Sequence, residues 1–174
     1  QFKKVINPET TNFFNPDKPK EKFFLDSAIN DAIMITKKLV QKENIEIVTD
    51  FESIEVFGVL NELSQVVINL IQNSSEAFNS KEIKNNKNIH ISIKHFEDYA
   101  SIIFRDNAGG APECLIEKVF EPYFTTKHQS NGTGLGLFMS KMIIEKSLDG
   151  NIEAKNCNNG LEFIIEIPLG EKNE

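Results

Sequence analysis

The chain has 174 residues, 40% hydrophobic and 26% charged, so it can bury a core as one compact domain and lies far from the low-hydrophobicity, high-charge signature of disorder. Acidic residues outnumber basic ones 26 to 19, for a net charge of -7, which is the wrong sign for a domain that gathers a nucleic-acid backbone. No apolar run approaches the ~20 residues that span a bilayer, and two cysteines without His or Cys at ligand spacing indicate free thiols in a reducing, cytoplasmic compartment rather than zinc or a disulfide framework.

Residues 1–22 hold prolines in Asn-Pro, Asn-Pro-Asp and Lys-Pro contexts, with Phe13 and Phe14 between them, and read as a linker or the frayed end of a preceding element. The start at Gln1 suggests a piece of a longer protein. From Asp26, a good N-cap, Ala28, Ile29, Ala32, Ile33, Ile35, Leu39 and Val40 recur at helical spacing to about Gln41. Ile45, Ile47 and Phe51 then alternate as a strand, and Ile54, Val56 and Phe57 suggest a short second one.

With Asn61 as N-cap, Leu63, Val66, Val67, Leu70, Ile71, Ser74, Ala77 and Phe78 trace the small and apolar stripe of a helix to about Asn79. A Lys- and Asn-rich loop over 80–88 leads to a hairpin of strands near 89–94 and 99–104. Residues 106–131 form a long loop with a short helical stretch near 115–119, and loops of this length are usually functional. A helix beginning within the glycines at 134–136 and strands near 152–155 and 161–167 complete the pattern, followed by a tail at 171–174. Blocks of helices and hairpins, without a strand-helix-strand rhythm, predict an α/β two-layer sandwich with helices on one face of a mixed, mostly antiparallel sheet.

Three features carry chemistry. Asn69, Asn73 and Glu76 lie within roughly 60° of one another on a helix, beside its buried stripe. That face reads either as solvated surface in an Asn-rich chain or as neutral amide oxygens that ligate Mg²⁺ alongside nucleotide phosphates. At the end of an apolar strand, Asp106 precedes Asn107, Ala108, Gly109 and Gly110. This is either an ordinary turn or a carboxylate that accepts a hydrogen bond from an exocyclic amine, with glycines admitting a flat ring. Finally, Gly132, Thr133, Gly134, Leu135, Gly136 and Leu137 enter a helix, where unpaired N–H groups and the helix dipole suit phosphate oxygens. The run is neither a Walker A loop nor a Rossmann fingerprint.

In this order the features resemble the catalytic, ATP-binding domain of bacterial two-component sensor histidine kinases, within the gyrase, heat-shock chaperone, histidine kinase and mismatch-repair ATPase superfamily. VINLIQNSSEAF matches the asparagine box, DNAGG at 106–110 the first glycine box, FEPYFTTK at 120–127 the phenylalanine box and GTGLGL at 132–137 the second glycine box. The resemblance covers about Phe23 to Leu169. It implies the Bergerat ATP-binding fold, a catalytic domain at 23–170, and a lead-in at 1–22 that continues from dimerisation and phosphoacceptor helices.

The resemblance further implies that Asn73 ligates Mg²⁺, with Asn69 one turn earlier at the phosphate end of the pocket. Asp106 would bind the adenine amino group and Gly110 would line the base. Thr125, Thr126 and Lys127 would sit in a lid, Lys127 meeting the phosphates, and the backbone of Gly132, Thr133, Gly134, Leu135, Gly136 and Leu137 would wrap the triphosphate. Two positions depart from the pattern: Ala108 stands where the first glycine box usually has glycine, and Glu76 where relatives often carry a basic residue. The methyl of Ala108 is tolerable provided that residue keeps a negative φ.

Superfamily members that hydrolyse ATP place a glutamate at the position of Asn69, and an amide cannot act as a general base. The resemblance therefore implies transfer of the γ-phosphoryl group of Mg-ATP to a histidine, for relay to a response regulator receiver domain. His90, His95 and His128 lack the helical context of the family's acceptor, so the acceptor is expected on the phosphoacceptor domain of the same kinase, homodimeric at full length. A nucleotide-sensing module of the same fold without transfer activity is the alternative. No nucleic acid and no membrane contact by this chain are expected.

Overall fold

The computed structural model describes residues 17–124 and 133–170. The lead-in over 1–16, the tail at 171–174 and residues 125–132 of the expected lid lie outside them. A five-stranded sheet is built from β2 (Ile45–Phe51), β4 (Lys87–His95), β5 (Tyr99–Asp106), β7 (Gly160–Pro168) and β6 (Asn151–Cys157), in that spatial order. Strand β2 runs parallel to β4, and every other neighbouring pair is antiparallel. The sheet is thus mixed and mostly antiparallel, as the hairpin pattern predicts.

One face of the sheet is apolar because the alternating residues of each strand fall into common cross-strand rows. Ile91, Phe104 and Phe163 make one such row, and Ile93, Ile102, Ile165 and Ile152 another. All seven are buried. Helices α1 (Leu25–Lys42), α2 (Leu60–Ser80) and α4 (Gly136–Ser147) bring the second layer of the core, although Ile35, expected on the apolar stripe of α1, turns to solvent and is 67% exposed. Small residues let α1 and α2 approach closely: Ala28 and Ala32 are fully buried, and the Ser64 hydroxyl donates to the Ala28 carbonyl at 3.0 Å.

The opposite face carries a ladder of charge. Register aligns His90, Arg105, Glu162 and Lys155 across β4, β5, β7 and β6. Glu162 is 2% exposed, and it ion-pairs with Arg105 and, at 2.9 Å, with Lys155. Burial works to raise its carboxyl, but hydrogen bonds from Lys155 and Arg105 outweigh burial and leave it below the ordinary value of 4.5. The sole arginine of the chain is therefore engaged on the face away from the helices.

The structure adds an element that the sequence pattern does not reveal. Strand β1 (Glu21–Phe24) pairs antiparallel with β3 (Glu55–Gly58) in a separate two-stranded ribbon, so Glu21 and Lys22, assigned above to the lead-in, lie in a strand. Because β1 runs straight into α1, Phe24 occupies the N-cap position and Asp26 lies in the first helical turn, where its carboxylate accepts from the Ser53 hydroxyl. Val59 likewise precedes α2, leaving Asn61 inside the helix. Strand β4 starts at Lys87, inside the expected loop, because Lys87 is buried against Glu43 (3.5 Å) and packs over the Phe78 ring. The short helix α3 spans Glu113–Ile116, ahead of its expected place.

Two outcomes follow from this packing. Phe104→Ala, at a side chain 1% exposed, lowers unfolding free energy by about 3–5 kcal/mol in urea titrations. Because the Glu162 carboxyl sits below its unfolded value, its stabilisation is complete above pH 4.5 and is lost as pH falls through the folded value. Glu162→Gln therefore lowers the thermal midpoint at pH 7 and flattens its decline across that acid range, which differential scanning fluorimetry from pH 7 to 3 checks.

Candidate functional site

Strand β5 alternates, so Arg105 faces the charged ladder and Asp106, one residue on, faces the helices opposite Ile89. Asp106 is 7% exposed. Polar oxygens so placed must find hydrogen-bond donors within the protein. Its Oδ1 accepts from the backbone N–H groups of Ala108 (3.0 Å) and Leu161 (3.1 Å), and its Oδ2 accepts from the Ser74 hydroxyl at 2.6 Å. Each carboxylate oxygen can accept two hydrogen bonds, so Oδ2 retains capacity for one further donor.

The glycine loop after Asp106 is shaped by steric need. Gly109 and Gly110 have φ of 84° and 62°, in the left-handed region that penalises a side chain. A Cβ on Gly110 would also fall 2.5 Å from Asn156 Oδ1. Ala108 is buried and is absent from the residues at positive φ, so its methyl meets the condition stated for it above. Side chains from outside the loop hold it in place. Asn107 accepts from the Asn88 N–H (2.8 Å) and donates to the Asn86 carbonyl (2.7 Å). Asn156 of β6 accepts from the Ala111 N–H and donates to the Ala111 carbonyl and to Glu113. Lys81 donates to the carbonyls of Ala108 and Gly110.

Helix α2 carries the asparagine pair to the other end of the site. Asn69 donates to the Gly136 carbonyl (3.4 Å) and the Ser140 hydroxyl (3.3 Å) and accepts from Gln65, so it ties α2 to the first turn of α4. Asn73, one turn further, is half-buried, and its side-chain amide has no hydrogen bond to another described residue. Helix α4 begins at Gly136 without a side-chain cap, so the N–H groups of its first turn keep their donor capacity.

Gly134 has φ 66°, and a Cβ there would lie 2.5 Å from the Tyr123 carbonyl carbon. Its carbonyl accepts from the Tyr123 N–H at 2.9 Å, which joins the phenylalanine segment to the second glycine run. Thr133, Leu135 and Leu137 complete the described part of that run. Phe120 packs edge-on against Phe163 of the core. Of the residues singled out from the sequence, Asn69, Asn73, Asp106, Gly110 and the run from Thr133 to Leu137 all border α2, the glycine loop or the start of α4. Thr125, Thr126, Lys127 and Gly132 lie outside the described residues, as does His128.

Ser74, Lys81, Ser140 and Asn156 take part in this arrangement without having been singled out. Ser74 left a trace in the sequence: a hydroxyl on the buried stripe of a helix needs a partner there, and Asp106 supplies it. Asn156 sat among consecutive turn-forming residues, and its place in β6 is set by pairing with Leu161. Among the described residues no group of three or more His, Cys, Asp and Glu is gathered to hold a metal, and no helix is long and apolar enough to cross a membrane.

Comparison with known proteins bears directly on this geometry. The family described as histidine kinase-, DNA gyrase B-, and HSP90-like ATPase matches residues 58–171. The chain is similar to the two-component sensor PprA of Pseudomonas aeruginosa, 32% identical over 66% of this chain and 12% of that protein. It is also similar to sporulation kinase A of Bacillus subtilis, 33% identical over 86% of this chain and 24% of that protein. It thus spans at most a quarter of the length of these relatives. Among solved structures, the nucleotide-free catalytic domain of the histidine kinase ThkA superposes with a TM-score of 0.75 at 34% identity, covering 86% of this chain and 95% of that one. The same kinase in complex with the response regulator TrrA superposes at 0.73 and 27% identity, covering 96% of this chain and 47% of that one.

Ser74→Ala leaves Asp106 Oδ2 without its protein donor in a buried setting. The expected result is a loss of about 1–3 kcal/mol of stability in the ligand-free chain, measured by chemical denaturation, while Ser74→Thr retains the hydroxyl and loses less.

Proposed function

Because the chain belongs to the histidine kinase-, DNA gyrase B- and HSP90-like ATPase family, we propose that it is the ATP-binding catalytic domain of a sensor histidine kinase. In this reading it binds Mg-ATP and transfers the γ-phosphoryl group to a histidine of a separate phosphoacceptor domain, which then passes it to a response regulator. The observation that carries the reading is the buried Asp106 carboxylate, fixed by Ser74 and two backbone amides with one acceptor position spare. That position matches the need of the adenine amino group, which is a donor. Gly110 then lines the base.

The phosphate end follows from α2 and α4. The open first turn of α4 offers N–H donors and the positive end of a helix dipole to phosphate oxygens. Asn73 fits a magnesium ion, since its amide oxygen is a hard, neutral donor that no described hydrogen bond occupies. When bound, Mg²⁺ neutralises phosphate charge and takes the rest of its shell from water and phosphate oxygens. Thr125, Thr126, Lys127 and Gly132 are proposed to complete the phosphate side.

Asn69 supports transfer over hydrolysis. Its side chain bonds Gly136 and Ser140, and an amide takes no proton from water. The protein contributes position and electrostatics, and the nucleophile is an imidazole nitrogen on the partner domain. Relay to a receiver domain draws support from the ThkA complex with TrrA, and a homodimeric full-length protein acting in the cytoplasm completes the proposal.

Calorimetric titration with ATP, with and without Mg²⁺, tests the reading. Binding should tighten with Mg²⁺ in the wild type, weaken about ten- to a hundredfold in Asp106→Asn, and lose its Mg²⁺ dependence in Asn73→Ala. Adding the phosphoacceptor domain should then give phosphohistidine labelling that Asp106→Asn suppresses. A wild-type chain that binds no ATP would overturn the assignment; one that binds ATP yet labels no supplied acceptor would point to a nucleotide-sensing module instead.

A further inference from the structure

The carbonyls of the glycine loop meet one donor that the family's sequence boxes do not include. Successive positive φ values at Gly109 and Gly110 turn the carbonyls of Ala108 and Gly110 toward the same side of the loop. Both are met there by the Lys81 ammonium, at 2.7 Å for Ala108. The stem of Lys81 lies across Gly109, where an added Cβ would come within 3.3 Å of its Cδ. Backbone bonding leaves this role open: the Gly109 N–H donates to Asn159 and the Asn107 N–H to Asn88, but neither serves these two carbonyls.

Lys81 follows the last turn of α2, and its own N–H donates to the Ala77 carbonyl. The helix that carries Asn69, Asn73 and Ser74 therefore also holds the loop that would face the base. Among the described residues no carboxylate pairs with Lys81, so its charge is directed at two carbonyl dipoles, a charge-assisted arrangement stronger than a neutral hydrogen bond. Lys81 is itself exposed, yet its ammonium rests on the two loop carbonyls rather than extending into solvent.

We propose that Lys81 is a positioning residue for nucleotide binding, fixing the Ala108–Gly110 loop so that the pocket edge beside Asp106 is formed before the base arrives. The inference rests on the nucleotide-binding reading given above. Lys81 acts through the loop, so its removal weakens recognition of the base end and leaves the phosphate end as it was. Loss of the ammonium raises the ordering cost that binding must meet.

The test compares Lys81→Met, which keeps the stem and removes the charge, with Lys81→Arg, which restores a cationic donor. Calorimetry with ATP and with ADP is expected to give dissociation constants about tenfold weaker for the Met variant, by the same factor for both nucleotides. Arginine should recover the affinity to within about threefold, and the thermal midpoints of all three ligand-free proteins should agree. Wild-type affinity in the Met variant overturns the proposal. So does a loss confined to ATP, which would place Lys81 on the terminal phosphate, or a loss that arginine does not rescue. If the Met variant melts early, Lys81→Gln, with a neutral donor, should show intermediate affinity, and wild-type affinity in it likewise overturns the role. A wild-type chain that binds neither nucleotide instead removes the nucleotide-site reading itself.

Discussion

A side-chain carboxyl buried at the end of a strand governs this structure. Asp106 lies buried beneath the helices, so its oxygens need donors, and they come from three directions: the hydroxyl of Ser74 on α2, the N–H of its own loop at Ala108, and the N–H of Leu161 on β7. Each demand reshapes its surroundings. Strand β7 must press so closely on the end of β5 that a Cβ at Gly160 would fall 1.7 Å from the Asp106 carbonyl oxygen. The glycine loop must curl back at once, which needs left-handed backbone at Gly109 and Gly110. What holds the carboxylate also leaves it one acceptor position short of full use.

Helix α2 converts that local constraint into a site with two ends. From Asn69 to Lys81 it covers about 18 Å at 1.5 Å per residue. Along that length it touches the first turn of α4 through Asn69, the strand end through Ser74 and the glycine loop through Lys81. A rigid helix thereby sets the separation between the groups suited to phosphate and the groups suited to a base. The apolar stripe that buries α2 against α1 and the sheet fixes its rotation, and so decides which polar residues border the cleft.

Most of this was legible because it rests on periodicity or on steric necessity. The isoleucines of β4 and their partners on β5 alternate plainly, and glycines at a helix entry or after a strand-end aspartate admit few readings. What stayed hidden depends on contacts between segments distant in sequence. Strand β1 is four residues long, too short to show alternation, and exists through its register with β3 and the burial of Phe23. Asp26 and Asn61 have the side chains of N-caps, yet extended backbone at Phe24 and Val59 leads directly into each helix and moves both residues inward. Lys81 looked like one more lysine in a polar loop, because its partners are backbone carbonyls 27 and 29 residues away.

The one parallel pair in the sheet has a consequence for how the molecule comes to be. Parallel neighbours cannot be joined by a tight turn, and the crossover from β2 to β4 consists of β3 and α2, the helix that carries the asparagines. Pairing Ile45 with Lys87 closes a long loop, the kind of non-local contact that slows folding. Antiparallel β4–β5 and β6–β7 join neighbouring sequence, whereas the edge strand β2 meets its partner only across the whole of β3 and α2. The segment that seats the sheet's edge strand is thus the same one that brings Asn69 and Asn73 to the cleft, so the parallel pairing and the site hang on one non-local connection.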